Sequence, residues 1–243
     1  EASQITNLLS KIQTELGSAS PAKTIEAKEV KSDESLYLQN ALKNKALYIA
    51  KDDTTTYYLT GTSVLSAENN SSTFKTIIKN DDDWKNPAGL ATYNGNIYIL
   101  DKDQNQILKF VAAANGFGKA NYFSSSTTPD FSKSVALAID NNVYVLFANG
   151  VIAKYFKGNS VDFSFKGLDK SMSNPTRMYT NTDFDNIYIL DNGNARILVF
   201  DKSGNLKNQY QAGIIKNALD FEILEKDKKA YILSGTKIYK INL

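Results

Sequence analysis

The 243-residue chain is predicted to be all-β, a five-bladed β-propeller with six blades as the runner-up. Three observations predict this. The phrase "NIYILD" occurs twice, at 96–101 and 186–191, and variants recur as "TYYLTG" (56–61), "NVYVLF" (142–147) and "KAYILSG" (229–235). The tyrosines these copies align, Tyr57, Tyr98, Tyr144, Tyr188 and Tyr231, stand 41 to 46 residues apart, which is the repeat length of four-stranded propeller blades. Beyond residue 24 short alternating apolar runs are separated by Asn, Asp, Gly, Ser and Lys, the pattern of strands and tight turns.

The elements follow in chain order. Ile5, Leu8, Leu9, Ile12 and Leu16 share one helical stripe, with Ser3 placed to cap the start and Gly17 to stop it. Residues 1–23 are therefore expected to be a short helix and linker, and 24–243 the propeller domain. Each repeat starts with an inner strand, as in "GLATY" (89–93), "VALAID" (135–140), "RMYTN" (177–181) and "LDFEIL" (219–224). These runs are nearly continuous in apolar residues, as strands buried on both faces should be. The tyrosine strand comes second, and the third reads "QILKF", "VIAKYF", "RILVF" or "KIYKINL". An outer fourth strand shows as "FKTIIK" (74–79), "VDFSF" (161–165) and "LKNQY" (206–210). Turns such as "DNGNA" and "DKSGN" supply the Asn and Gly that hairpins need. The last repeat stops at Leu243 after its third strand, while "TIEAKEVKSDESLYL" (24–38) has no blade of its own. An N-terminal strand from this segment is expected to complete the final blade and remove its open edge.

Composition excludes several chemistries. With no cysteine and no histidine, disulfides, thiolate zinc sites, cysteine nucleophiles, Ser-His-Asp triads and imidazole bases are all unavailable. Basic and acidic residues number 28 and 26 and are interspersed, so a nucleic-acid partner is not expected. No apolar run approaches the roughly 18 residues of a membrane span. "DKDQNQILKFVA" (101–112) begins like a calcium loop but has Gln106 and Ala112 where Gly and Glu are required. No glycine-rich phosphate loop is present. No metal or cofactor is expected.

"PAGLATYNGNIYILDKDQNQILKF" (87–110) and "PTRMYTNTDFDNIYILDNGNARILVFDKSGNLKNQY" (175–210) resemble NHL-type propeller repeats: a Pro-x-Gly-like start, an inner strand, "N-I-Y-V-x-D", "x-G-N-x-R-I" and "V-F-D". The repeat at 175–210 matches most fully, through Asn186, Ile187, Tyr188, Asp191, Gly193, Asn194, Arg196, Ile197, Phe200 and Asp201. The repeat at 87–110 keeps Asp101, Asn105 and Ile107 but has Gln106 in place of the arginine, and the others lose both Asp and Arg. The resemblance implies that Asp191 and Arg196 lace strands together. The chain is also similar to C-terminal propellers of bacterial proteins with a PP2C-like phosphatase domain. It holds no phosphatase motif, so the resemblance implies that such activity would belong to a part N-terminal to it. The missing catalytic residue types and degenerate repeats lead us to expect the sensing or interaction part of a larger, membrane-tethered, extracytoplasmic protein. The chain opens on Glu1 rather than Met, as expected of an excised piece.

For function the expectation is a monomeric, non-enzymatic binding or scaffold propeller that takes a protein or small ligand on one face of the disc. That face gathers the loops leading into the inner strands and those joining second to third strands. Trp84, the one tryptophan, is the expected anchor. Asp83 and Arg177 should lie nearby, and Asp101 and Asp191 complete the binding set. The alternatives are a lectin-like propeller, whose platform would have to come from the aligned tyrosines, and a carboxylate-dependent glycoside hydrolase using Asp140, Asp220 or Glu222.

Overall fold

A computed structural model describes residues 21–123 and 129–243, together with Gln4, Ile5 and Asn7. The helix expected over 3–16 otherwise lies outside the described residues. Five sheets, each built on four antiparallel strands, follow one another around a central channel. Blade 1 comprises β3 (Tyr48–Lys51), β4 (Thr55–Leu59), β5 (Ser63–Glu68) and β6 (Lys75–Lys79); blade 2, β7 (Pro87–Tyr93), β8 (Asn96–Asp101), β9 (Gln106–Ala113) and β10 (Gly116–Asn121). Blade 3 holds β11 (Ser134–Ile139), β12 (Val143–Phe147), β13 (Ile152–Phe156) and β14 (Asn159–Val161). Blade 4 holds β15 (Pro175–Tyr179), β16 (Asn186–Asp191), β17 (Arg196–Asp201) and β18 (Leu206–Gln211). Blade 5 contributes β19 (Ala218–Leu224), β20 (Lys229–Ser234) and β21 (Lys237–Asn242).

The outer strand of blade 5 is β2 (Lys28–Val30), antiparallel to β21 with Glu29 opposite Tyr239. The closure expected from the missing fourth strand is thus present. Two features of the same segment were not anticipated. β1 (Lys23–Thr24) adds to blade 4 as a fifth strand, parallel to β18. After β2 the chain forms α1 (Leu36–Lys43), capped by Ser35, whose Oγ accepts from Leu38 N at 3.3 Å. "SLYL" alternates like a strand, yet the capping serine together with buried Tyr37, Leu38 and Ala41 fits a helix. In blade 3 the outer strand is shorter than expected and ends at Val161; Phe163 and Phe165 leave the sheet to pack against the next inter-blade core.

Five apolar clusters each lie between neighbouring blades. Four are strand-on-strand. In the fifth, Tyr37, Leu38 and Ala41 of α1 join Ile49 and Tyr58 of blade 1 with Tyr231 and Leu233 of blade 5. The helix therefore wedges the gap where the ring closes. The five aligned tyrosines are all buried mid-strand, packing rather than offering a sugar platform. Ile97, Ile99, Ile187 and Ile189 are fully buried, each side chain contributing about 1.5–3 kcal/mol relative to exposure.

The inner strands pack so closely that a Cβ at Gly89 would meet Leu137 Cβ at 2.6 Å. Four of them begin with a bulge, at Pro87/Gly89, Ser134/Ala136, Pro175/Arg177 and Ala218/Asp220. An extra residue shifts which side chains face inward. It comes immediately before the two that matter next, Arg177 and Asp220.

Candidate functional site

The expected site lies on what we call the front face, formed by loops leading into first strands and those joining second to third strands. The structure places Trp84, Asp83 and Asp101 together at the front of blade 2. It puts Asp191 in blade 4 and Arg177 in the channel. Trp84 is 3% exposed, its indole edge-on to Phe110 at 6.2 Å within the core between blades 1 and 2. Its loop is held by Asn80, whose Oδ1 accepts from Trp84 N and whose Nδ2 donates to Trp84 O, both at 3.1 Å. The expected anchor is inter-blade packing, because an indole fills the widening space between twisted sheets better than it serves a wet surface.

The two aspartates are likewise internal. Asp101 is fully buried and accepts from the backbone N–H groups of Lys85, Asn86, Asp103 and Gln104. Asp191, also fully buried, accepts from Ser173 N (2.7 Å), Asn194 Nδ2 (2.8 Å) and Arg196 Nε (2.7 Å). Arg196 in turn reaches Asp169, Gln209 and the Lys170 carbonyl. In both blades the aspartate ending the second strand gathers the loop before the first, satisfying donors that would otherwise be stranded. Asp83 alone stays partly accessible, paired with Lys119 at 2.8 Å.

Arg177 bolts three blades together. From blade 4 its Nε donates to Asp220 of blade 5 at 3.2 Å and its Nη2 to the Leu47 carbonyl of blade 1 at 3.1 Å, while the guanidinium covers the Tyr48 ring. Burial pushes the Asp220 carboxyl up, and Arg177 pulls it back only in part. One layer further along the channel, Glu222 accepts from Lys51 Nζ at 2.6 Å and from Ser35 Oγ at 2.7 Å. Asp140 binds Lys202 at 2.8 Å. Each carboxylate considered for hydrolysis is thus held by a cation of its own.

Concavity lies on the opposite, back face, at the hairpins joining first to second strands and third to fourth. Three cavities of about 400, 380 and 350 Å³ all include Lys51 and Asp53 in their walls. The first lies between α1, blade 1 and blade 5, against Tyr37, Glu222 and Tyr231. The second lies by Asp183, Phe184 and Leu224, and the third by Thr92, Tyr93 and Asn181 at the channel mouth. Together they form a groove from the helix to the channel. Nine carboxylates line it against two lysines, Lys51 and Lys226, in a chain whose formal charge is +2. Asp52 accepts from Thr55 N (2.8 Å) and Tyr57 Oη (3.0 Å). The carboxylates of Asp33, Asp53, Glu68, Asp183 and Asp227 have no hydrogen bond or ion pair among the described residues. No group of metal-ligating side chains converges among the described residues. A further cavity of about 490 Å³ lies outside blades 4 and 5 by Lys23; there Glu225 is occupied by Tyr188 and the Asp185 and Asn186 backbone.

Nothing in the sequence singled out this groove. Its residues come from hairpins of four blades and from a helix that was not foreseen, and the hairpins read only as turns. The clustering of Asp52, Asp53 and Asp183 on hairpins after inner strands was the available signal.

No protein-family model matches the chain, and no curated protein matches it by sequence. Solved structures match it by fold. A glutaminyl cyclase from Myxococcus xanthus aligns with a TM-score of 0.56 at 9% identity, over 91% of this chain and 98% of that one. A catalytically inactive virginiamycin B lyase from Staphylococcus aureus, a histidine replaced and quinupristin bound, aligns with 0.51 at 12%, over 82% and 81%. PorZ, a surface component of the type-IX secretion system of Porphyromonas gingivalis, aligns with 0.52 at 15% over 82% of this chain. The chain spans 25% of PorZ's length and 62% of a chain in a nidogen–laminin complex. The neighbours are β-propeller proteins, and at these identities the likeness is one of fold. Among the described residues no helix is long and apolar enough to cross a membrane.

Proposed function

We propose that this chain is a non-enzymatic recognition propeller that takes its ligand or partner in the back-face groove, as the interaction part of a larger protein. One observation carries the reading: the front-face carboxylates Asp101 and Asp191 are spent on neighbouring loops, whereas the back face combines concavity with several carboxylates that have no partner among the described residues. Cavities of roughly 300–1,000 Å³ are where ligands usually bind. The front-face lacing agrees with the strand-tying role that the NHL-like motif implies for Asp191 and Arg196. The neighbours include a lyase, a cyclase and a gluconolactonase, but the lyase is inactivated by loss of a histidine, and this chain has none.

The test is a thermal-shift screen of the purified chain against a library of metabolites and short peptides, repeated on two variants. Thr182→Trp plugs the channel mouth without changing charge, since Thr182 is exposed and lines the third cavity. Asp103→Asn alters the front face. Stabilising compounds should lose their effect with Thr182→Trp and keep it with Asp103→Asn. The reverse pattern, or robust turnover of a glycoside or ester panel that disappears on mutating Glu222, would overturn the proposal.

A further inference from the structure

The groove's chemistry narrows what it can hold. Its free carboxylates are spread along its length: Asp33 and Glu68 in the first cavity, Asp53 shared by all three, Asp183 and Asp227 towards the channel and blade 5. Like charges gathered on one concave surface repel each other and focus a negative potential that a cation relieves. An acidic surface alone would be only a solvated rim. Among the described residues three buried side-chain polar atoms lack a partner; one, Trp84 Nε1, sits in the core between blades 1 and 2, and the other two are oxygens on this side of the disc. Tyr179 Oη and Thr92 Oγ1 are shielded from solvent and have no hydrogen-bond partner. Thr92 lines the third cavity. Tyr179 lies behind the wall of the second cavity, its ring edge-on to Phe184 at 5.2 Å, and burial, then the charges of Glu222, Asp183 and Asp52, raise its hydroxyl pKa. Asn181 approaches it without completing a hydrogen bond. Buried polar atoms without partners are rare in native proteins and call for an explanation. A donor-rich ligand supplies one.

The fold already shows how an ammonium is received here. Lys51 Nζ sits on Glu222 Oε1 at 2.6 Å and 5.2 Å from the Tyr37 ring centroid, a carboxylate and an aromatic face together. A bare divalent cation fits less well, because the described carboxylates are strung out rather than convergent. We propose that the groove binds an extended ligand carrying more than one primary ammonium group, with Asp53 and Asp183 as its counter-ions and Thr92 and Tyr179 as its buried acceptors. This rests on the back-face reading above and names the ligand class for that groove. A free polyamine and a lysine-rich peptide present the same chemistry.

Isothermal titration calorimetry of the chain with spermidine, with tri-lysine and with fully side-chain-acetylated tri-lysine tests it, at low and at physiological salt. Binding of spermidine or tri-lysine is expected, whichever is tighter identifying the source, with affinity falling as salt rises and no binding of the acetylated peptide. Asp53→Asn combined with Asp183→Asn should weaken the bound amine at least tenfold and Tyr179→Phe about threefold, while Asp103→Asn changes nothing. No heat with either amine, equal binding of the acetylated probe, or equal loss in Asp103→Asn would sink the proposal. So would calcium binding in place of the amines. Neutral or anionic compounds whose binding Thr182→Trp abolishes would remove the ammonium assignment and leave the groove as the site.

Discussion

The two faces of the disc share the same strands, yet they treat charge in opposite ways. On the front, Asp101 and Asp191 are fully buried and accept several hydrogen bonds each, so their charge is consumed in tying loops to strand ends. On the back, Asp53 and Asp183 stand in a groove with no cation assigned to them among the described residues. Carboxylates neutralised internally hold a structure together, whereas carboxylates left over are available to something outside it. Counting acidic residues cannot separate these roles, but counting their partners can.

The contrast predicts how each face responds to damage. Trp84→Ala should produce the largest effect, about 3–5 kcal/mol lost in urea unfolding, because it empties a buried volume between blades 1 and 2. Ligand affinity per folded molecule should not move. If affinity falls by an order of magnitude while stability holds, Trp84 belongs to a binding surface and the comparison fails. Asp191→Ala comes next, at about 3 kcal/mol, since it strands the buried Arg196 with only part of its hydrogen bonding. A cost below about 1 kcal/mol would mean that the lacing contributes little.

A pH titration probes the back face. Burial, then the charge of Asp52, pushes the Tyr57 phenol up to about 12 from its ordinary 10. The unfolded chain releases that proton first as pH rises, so stability is complete below about 10 and is lost on the way to 12. Urea midpoints measured from pH 9 upward, alongside tyrosinate absorbance, should show the midpoint falling while folded Tyr57 stays neutral. The Tyr57→Phe variant should flatten part of the slope, and an unchanged slope would separate Tyr57 from the effect. Asp53→Asn should do least, changing stability by no more than about 0.5 kcal/mol, because an exposed side chain with no partner supports nothing in the fold. A large loss would show that this carboxylate, too, is structural.

Much of the architecture was legible in the chain. The tyrosine spacing predicted five blades, and the unfinished last repeat predicted closure by an N-terminal strand, because a strand's period-two pattern and a repeat's length are local properties. The helix Leu36–Lys43 was not legible: at eight residues it is short, and only the gap between blades 5 and 1 gives its apolar face somewhere to go. The candidate site was less legible. Trp84, Arg177, Asp101 and Asp191 were singled out by residue type and position on a face, and those same types serve packing and lacing as readily as recognition.

What the sequence determined alone is the repeat, hence the blades, and the residue types that exclude imidazole and thiol chemistry. What only the tertiary structure decided is which charges meet. Asp220 finds Arg177 and Glu222 finds Lys51 across separations of 43 and 171 residues. Asp53 and Asp183, 130 positions apart, find no cation among the described residues. Coulombic pairing depends on distance in space and on burial, and neither is written in the order of residues until five sheets have closed into a ring.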